Sequence, residues 1–158
     1  IVSLQAEAGT GVTVPLTVTI PMGPACSKTF PITTTPVPRQ VSAKITATLA
    51  DSKESANLTV KPPQVSTISL STTQVTGGQS LSATVTLDGP APGGTSVAIR
   101  SNRDSAVTFP SSVAVTVGLS TVTFPIQTKV QSKDTKVKFT ASLNGDNDSE
   151  ELMIKKTN

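Results

Sequence analysis

Leu81-Ser82-Ala83-Thr84-Val85-Thr86-Leu87, followed at once by Asp88-Gly89-Pro90-Ala91-Pro92-Gly93-Gly94, decides the fold class of this chain. Apolar residues alternate with hydroxylated ones, so one face of an extended segment is greasy and the other wet, as in a half-buried β-strand. The Gly/Pro cluster that follows is a turn. Working outward, the same signals recur. Ile68 and Leu70 alternate with Ser69 and Ser71 ahead of the turn Thr76-Gly77-Gly78-Gln79. Downstream come Val97-Ala98-Ile99, Val113-Ala114-Val115-Thr116-Val117, Val122-Thr123-Phe124 and Val137-Lys138-Phe139-Thr140-Ala141-Ser142-Leu143. Asn144-Gly145 is a hairpin signal, and Glu151 to Lys155 returns as the last strand. About seven short strands with turns every 8–12 residues predict an all-β, antiparallel sandwich. No stretch holds a 3.6-residue period over three turns.

The chain also repeats itself. Residues 2–61 match residues 97–155, with an offset of 95 in the first half and 94 afterwards. Val12-Thr13-Val14-Pro15 falls on Val107-Thr108-Phe109-Pro110, and Phe30-Pro31-Ile32 on Phe124-Pro125-Ile126. Ile45-Thr46-Ala47-Thr48-Leu49 falls on Phe139-Thr140-Ala141-Ser142-Leu143, and Leu58-Thr59-Val60-Lys61 on Leu152-Met153-Ile154-Lys155. A self-match at fixed period marks a module array. The segment from about Val65 to Thr95 has no partner upstream of Ile1. Residues 1–61 therefore read as the last two-thirds of a module that lacks its N-terminal strands, residues 62–65 as a proline-rich linker, and residues 66–156 as a complete module. Truncation of a longer parent is the expected origin of the gap. Pro31 and Pro125 fall within a strand pattern in both copies and predict an edge or bulge there, because proline donates nothing to a ladder.

These motifs resemble the immunoglobulin-like repeats of large bacterial secreted and surface proteins. The resemblance is carried by Val75-Thr76-Gly77-Gly78, by Thr84 through Gly94, by Val107 to Pro110 before Val113-Ala114-Val115, and by Phe139 to Leu143 before the final strand. It implies an extracellular or cell-surface spacer, adhesive or assembly role, and it transfers no catalytic residues. The Cys–Trp–Cys core of antibody domains is missing from the sequence.

Composition narrows the chemistry. Histidine is wholly lacking, which removes the commonest general base and metal ligand and makes a Ser–His–Asp or Cys–His arrangement impossible within the chain. The net charge of +3 comes without a basic cluster, and with no Tyr or Trp and only four Phe there is nothing to stack bases, so nucleic acid is not an expected partner. No window approaches the ~18 apolar residues of a membrane helix, and no signal peptide is visible. A single cysteine, Cys26, excludes an intrachain disulfide. It lies in the loop Met22-Gly23-Pro24-Ala25-Cys26-Ser27 and reads as a free thiol in a turn, with an intermolecular bridge as the alternative.

The one metal candidate is the acidic run Asn144 to Glu151, in which Asp146, Asp148 and Glu150 are the oxygen donors that calcium would use. The spacing matches no complete calcium loop, and the equivalent turn Ala50-Asp51-Ser52-Lys53-Glu54 carries a lysine. A solvated hairpin is the expectation. Asn57-Leu58-Thr59 and Asn147-Asp148-Ser149 are glycosylation sequons by pattern. The expected function is a non-catalytic structural or interaction module with no cofactor, whose partners are the upstream part of the same protein, further copies, or another surface protein. Two other readings stay open: an accessory segment of a secreted enzyme, and a subunit of a surface filament or phage-like particle completed by strand donation.

Overall fold

A computed structural model of the chain describes residues 1–23 and 26–157. Those residues hold strands and turns and no helix. The chain divides into two compact units, Ile1–Pro62 and Pro63–Asn158. Unit 1 contains β1 (Val2–Ala6), β2 (Val12–Thr13), β3 (Thr17–Val18), β4 (Thr33–Thr34), β5 (Val41–Leu49) and β6 (Ser52–Val60). Unit 2 contains β7 (Val65–Leu70), β8 (Gln74–Thr76), β9 (Ser80–Leu87), β10 (Ser96–Ser101) and β11 (Val107–Thr108). It continues with β12 (Ser112–Ala114), β13 (Thr121–Thr128), β14 (Thr135–Leu143) and β15 (Asp146–Lys155).

Unit 2 is an immunoglobulin-like β-sandwich. One sheet runs β12-β10-β14-β15-β8 and the other β11-β13-β9-β7. The period-2 pattern of β9 places Leu81, Ala83, Val85 and Leu87 in the core and turns Ser82, Thr84 and Thr86 outward. On the outer face the Thr84 and Thr123 hydroxyls meet at 2.9 Å across the β9–β13 pair, and Ser80 donates to Gln127. The facing sheet contributes Val97, Ile99, Val137, Phe139, Ala141, Leu152 and Ile154, all at most 2% exposed. Phe109 meets Phe139 edge-on at 5.5 Å between ring centres, the arrangement that the ring quadrupoles favour. Asn144 and Gly145, with φ of 52° and 89°, close the β14–β15 hairpin as a two-residue turn whose twist suits the strands.

The structure departs from the sequence expectations in five places. The acidic run after Gly145 is strand rather than turn: β15 begins at Asp146 and pairs with β14 from Leu143↔Asp146 to Thr135↔Ile154. The sandwich is not wholly antiparallel, because β8 joins β15 in parallel through Gln74↔Met153, Val75↔Ile154 and Thr76↔Lys155. The strand expected over Val113–Val117 stops at Ala114, since the chain turns where Gly118 takes φ 80° and Leu119 N donates to Thr116 O at 3.0 Å. Residues 63–65 belong to unit 2 rather than to a linker: Pro63 is buried and its carbonyl accepts Asn144 Nδ2, while Gln64 and Asp88 are tied together and Val65 opens β7.

The fifth concerns the prolines. Pro125 lies in β13, an interior strand of its sheet, but β11 reaches only Gln127 and Thr128, so the flank beside Pro125 is open where the missing N–H costs nothing. Pro31 lies outside any strand, as do residues 26–32 around it.

Unit 1 repeats half of this plan in the same register. Its sheet is β3-β1-β5-β6. Ser3↔Thr48 in β1–β5 matches Ala98↔Ser142 in β10–β14, and Val2↔Val18 matches Val97↔Val113. The ribbon β2–β4 pairs Val12↔Thr34 and Thr13↔Thr33, the counterparts of Val107↔Thr128 and Thr108↔Gln127. Among the described residues nothing in unit 1 stands where β7, β8 and β9 stand in unit 2. The large apolar core lies wholly in unit 2, whereas the buried apolar residues described in unit 1 are Leu4, Val12, Val37 and Ala43.

Candidate functional site

Unbroken β14–β15 register puts Asp146, Asp148 and Glu150 on the same side of β15 as Leu152 and Ile154, so they continue the core-facing row toward the tip of the hairpin. Asp148 Oδ2 accepts the Ile68 amide at 2.8 Å. β7 is an edge strand with an irregular register between Val65 and Thr67, and the carboxylate supplies the acceptor that the Ile68 N–H does not find in a neighbouring strand. Asp148 thus ties the edge of one sheet to the other. Asp146 Oδ1 takes the neighbouring Asn147 amide at 2.9 Å. Glu151, on the opposite side of the strand, pairs with Lys136 at 2.6 Å. Among the described residues no group of three or more His, Cys, Asp or Glu side chains is arranged to hold a metal ion.

This geometry makes a specific prediction. Asp148→Ala orphans a partly buried amide and costs unit 2 about 1–3 kcal/mol. Asp148→Asn keeps an acceptor oxygen and costs less, and a chelator moves the melting temperature by no more than about 1 °C. Thermal melts of the three proteins with and without calcium check this. A calcium site would instead show both substitutions equally harmful, and only in the presence of the ion.

Elsewhere, Asp134 accepts Lys155 Nζ at 2.8 Å and the Lys156 amide at 2.9 Å. These two contacts hold its carboxyl below the ordinary carboxylate value. The group is a surface tie on the C-terminal segment: it acts above the ordinary carboxylate range and lets go as the pH falls through its lowered pKa. Cys26 is exposed, with Sγ 3.9 Å from Gly23 O; Pro24 and Ala25 of its loop lie outside the described residues. The sequon residues Asn57 and Asn147 are exposed on strands β6 and β15. A shallow groove of about 590 Å³ runs past Ile99, Arg100, Asp104, Phe109 and Ser111. It holds no nucleophile paired with a base.

The most distinctive feature is a face rather than a cluster, the uncovered apolar side expected of a copy that lacks its N-terminal strands. Phe124 and Ile126 of β13 are 3% and 0% exposed, but their counterparts in unit 1 are half-buried Phe30 and Ile32, the latter 42% exposed. Phe139, Ala141, Leu152 and Ile154 are fully buried. Their counterparts Ile45, Ala47, Leu58 and Val60 are all only half-buried. The inner side of the unit 1 sheet is therefore open where unit 2 is closed by β7 and β9.

No protein-family model and no curated protein matches the chain. Several solved structures of bacterial surface proteins are similar to it. The D0–D1 domains of intimin share 12% identity over 97% of this chain and 80% of that one, with a TM-score of 0.48. The Escherichia coli adhesin FdeC shares 16% over 99% of this chain and 52% of its own, again with a TM-score of 0.48. The Yersinia pseudotuberculosis adhesin InvE shares 14% over 98% of this chain and 48% of its own, with a TM-score of 0.48.

Proposed function

We propose that the chain is a non-catalytic structural and interaction segment of a longer extracellular bacterial protein. On this reading unit 1 is the later two-thirds of one immunoglobulin-like module and unit 2 is a whole one. The observation that carries it is the repeated strand pairing, made twice in one register within one chain. Tandem modules of this kind add length and surface rather than an active site. The buried residues agree. Among those described, the only polar ones are Thr10 and Thr128, and each hydroxyl donates to a backbone carbonyl at 2.7 Å, of Glu7 and Gln79 respectively. Among the described residues no Asp, Glu, Lys, Arg or Cys is buried, the setting in which a catalytic acid or base would be tuned.

Sequencing the parent gene in both directions tests the proposal. Further copies of the module together with an export or anchoring segment are expected. A catalytic domain joined directly to either unit would move the chain to the accessory-segment reading. A parent that fractionates with the cytoplasm would overturn the surface role.

A further inference from the structure

The cations of unit 2 are spread through its sequence, but the topology gathers them at one end of the sandwich. Val65↔Leu87 and Leu143↔Asp146 mark the end at which the chain enters, and β15 finishes at the other end with Lys155. The pairs Arg100↔Thr140 and Thr140↔Ser149 divide the two halves. All eight lysines and arginines of unit 2 lie at this level or beyond it, toward the far end. The carboxylates there are Asp104, Asp134, Glu150 and Glu151, which leaves a surplus of four positive charges. The entry half holds Asp88, Asp146 and Asp148 and no cation. Resting on the surface-segment reading for the setting in which such a polymer is met, we infer that the basic end of unit 2 is a binding surface for an anionic polysaccharide.

The charges form one continuous band. Arg100, Lys136, Lys138 and Lys155 stand on the outer side of their sheet, because the alternate residues Ile99, Val137, Phe139 and Ile154 face the core. Backbone contacts carry the band from this face onto the end loops. Asn102 N donates to Lys138 O at 3.1 Å and Asn102 Oδ1 accepts the Lys138 amide at 2.9 Å, which sets Arg103 next to that strand. Arg103 O accepts the Ala106 amide at 3.0 Å, and Ala106 O accepts that of Lys129 at 2.9 Å. Thr135 Oγ1 donates to Lys133 O at 3.1 Å, and Asp134 holds both Lys155 Nζ and the Lys156 amide. Among the described residues the ion pairs here are Lys136–Glu151 and Lys155–Asp134. The other six cations have no Asp or Glu in ion-pair contact, so their mutual repulsion is left for a ligand to relieve.

The chemistry of the band selects the occupant. Six of the eight cations are lysines, mobile point charges that suit a row of anions along a flexible chain better than one phosphate held in a fork. The band turns from a sheet face onto the loops at its end, a bent track that a polymer can follow and a flat bilayer cannot. Nucleic acid would want ring platforms for its bases. The chain has no Tyr or Trp, and the one ring near Arg100, Phe109, is packed edge-on against Phe139. A second copy could offer only its acidic end. There Asp88 and Asp148 already accept the Gln64 and Ile68 amides at 2.7 and 2.8 Å, and the entering chain occupies the same end.

The test titrates the full chain with heparin and with polygalacturonate, a sulfated and a carboxylated polysaccharide, over a series of salt concentrations. Both are expected to bind, with affinity that falls steeply as salt rises. Arg100→Gln, Lys133→Gln and Lys138→Gln combined should lower affinity at least about tenfold and flatten the salt dependence. These side chains are exposed and outside the ion pairs, so unit 2 should melt unchanged. Lys28→Gln, Lys44→Gln and Lys53→Gln combined remove the same charge from unit 1 and should change affinity less than about twofold. Equal losses from the two triple variants would trace binding to net charge and overturn the inference, as would no binding of either polymer at low salt. Tighter binding of single-stranded DNA, or of vesicles rich in anionic lipid, would show the polysaccharide assignment to be wrong. None of these failures touches the surface-segment reading, which the parent gene decides.

Discussion

Leu152→Ala is expected to cost unit 2 about 2–5 kcal/mol, and Leu58→Ala, the same change at the equivalent position of unit 1, less than about 1 kcal/mol. The two leucines occupy matching places, Leu152 opposite Val137 in β14–β15 and Leu58 opposite Ala43 in β5–β6. They differ in what covers them. Leu152 is fully buried against the β7–β9 sheet, so truncation leaves a cavity in a closed core. Leu58 is only partly buried, so some of the surface that truncation would remove is already wet and the gap it leaves is open rather than sealed. Hydrogen exchange resolves the two units separately by following β14 for one and β5 for the other. Equal losses would mean that unit 1 has a closed core of its own.

Gly77→Ala is the second large effect, a loss of about 1–3 kcal/mol from unit 2. A Cβ at that position would stand 2.8 Å from Thr157 Oγ1 and 2.9 Å from both Gln131 N and Lys129 O. The threonine hydroxyl can rotate away, but the two backbone atoms cannot. Gly77 N also donates to Lys155 O at 2.9 Å, and Thr157 Oγ1 donates to Gly77 O at 3.0 Å. A shift of this segment therefore loosens the end of β15 as well. Gly89→Ala is the control: no heavy atom lies within 4 Å of its Cβ and its φ is ordinary, so stability should stay within about 1 kcal/mol. Comparable losses at both glycines would remove the steric explanation.

Much of this architecture was legible in the residues, and the parts that were not have physical reasons. β9 is readable because Leu81, Ala83, Val85 and Leu87 alternate with hydroxyls, and the alternation matches burial residue by residue. The pairing register of unit 1 follows from the repeat, since equivalent residues meet equivalent partners. β15 was hidden at its start because Asp, Asn, Ser and Glu are poor strand formers by themselves; the Asn144-Gly145 turn and the β14 ladder impose the conformation. The parallel seat of β8 is a long-range pairing that no local pattern encodes. The same is true of Asp148, whose carboxylate serves an amide 80 positions away in the chain. Pro125 signalled an edge correctly in kind, but the edge is local, produced by the shortness of β11 rather than by the order of the sheet. The open face followed from the missing upstream partner of residues 65–95, which already predicts unpaired edges and an uncovered apolar side in the first copy. It took the half-buried Phe30 and Ile45, set against the closed Phe124 and Phe139, to give that absence a surface.

The central claim is that unit 1 in this chain has an uncovered sheet while unit 2 has a sealed one. Native-state hydrogen exchange on the full chain, verified as a monomer by sedimentation, tests it most directly. Amides of Lys136–Leu143 are expected to exchange only through global unfolding of unit 2, and those of Ser42–Leu49 at least about 100-fold faster, through openings that cost little. Equal protection of the two hairpins in the monomer would contradict the account.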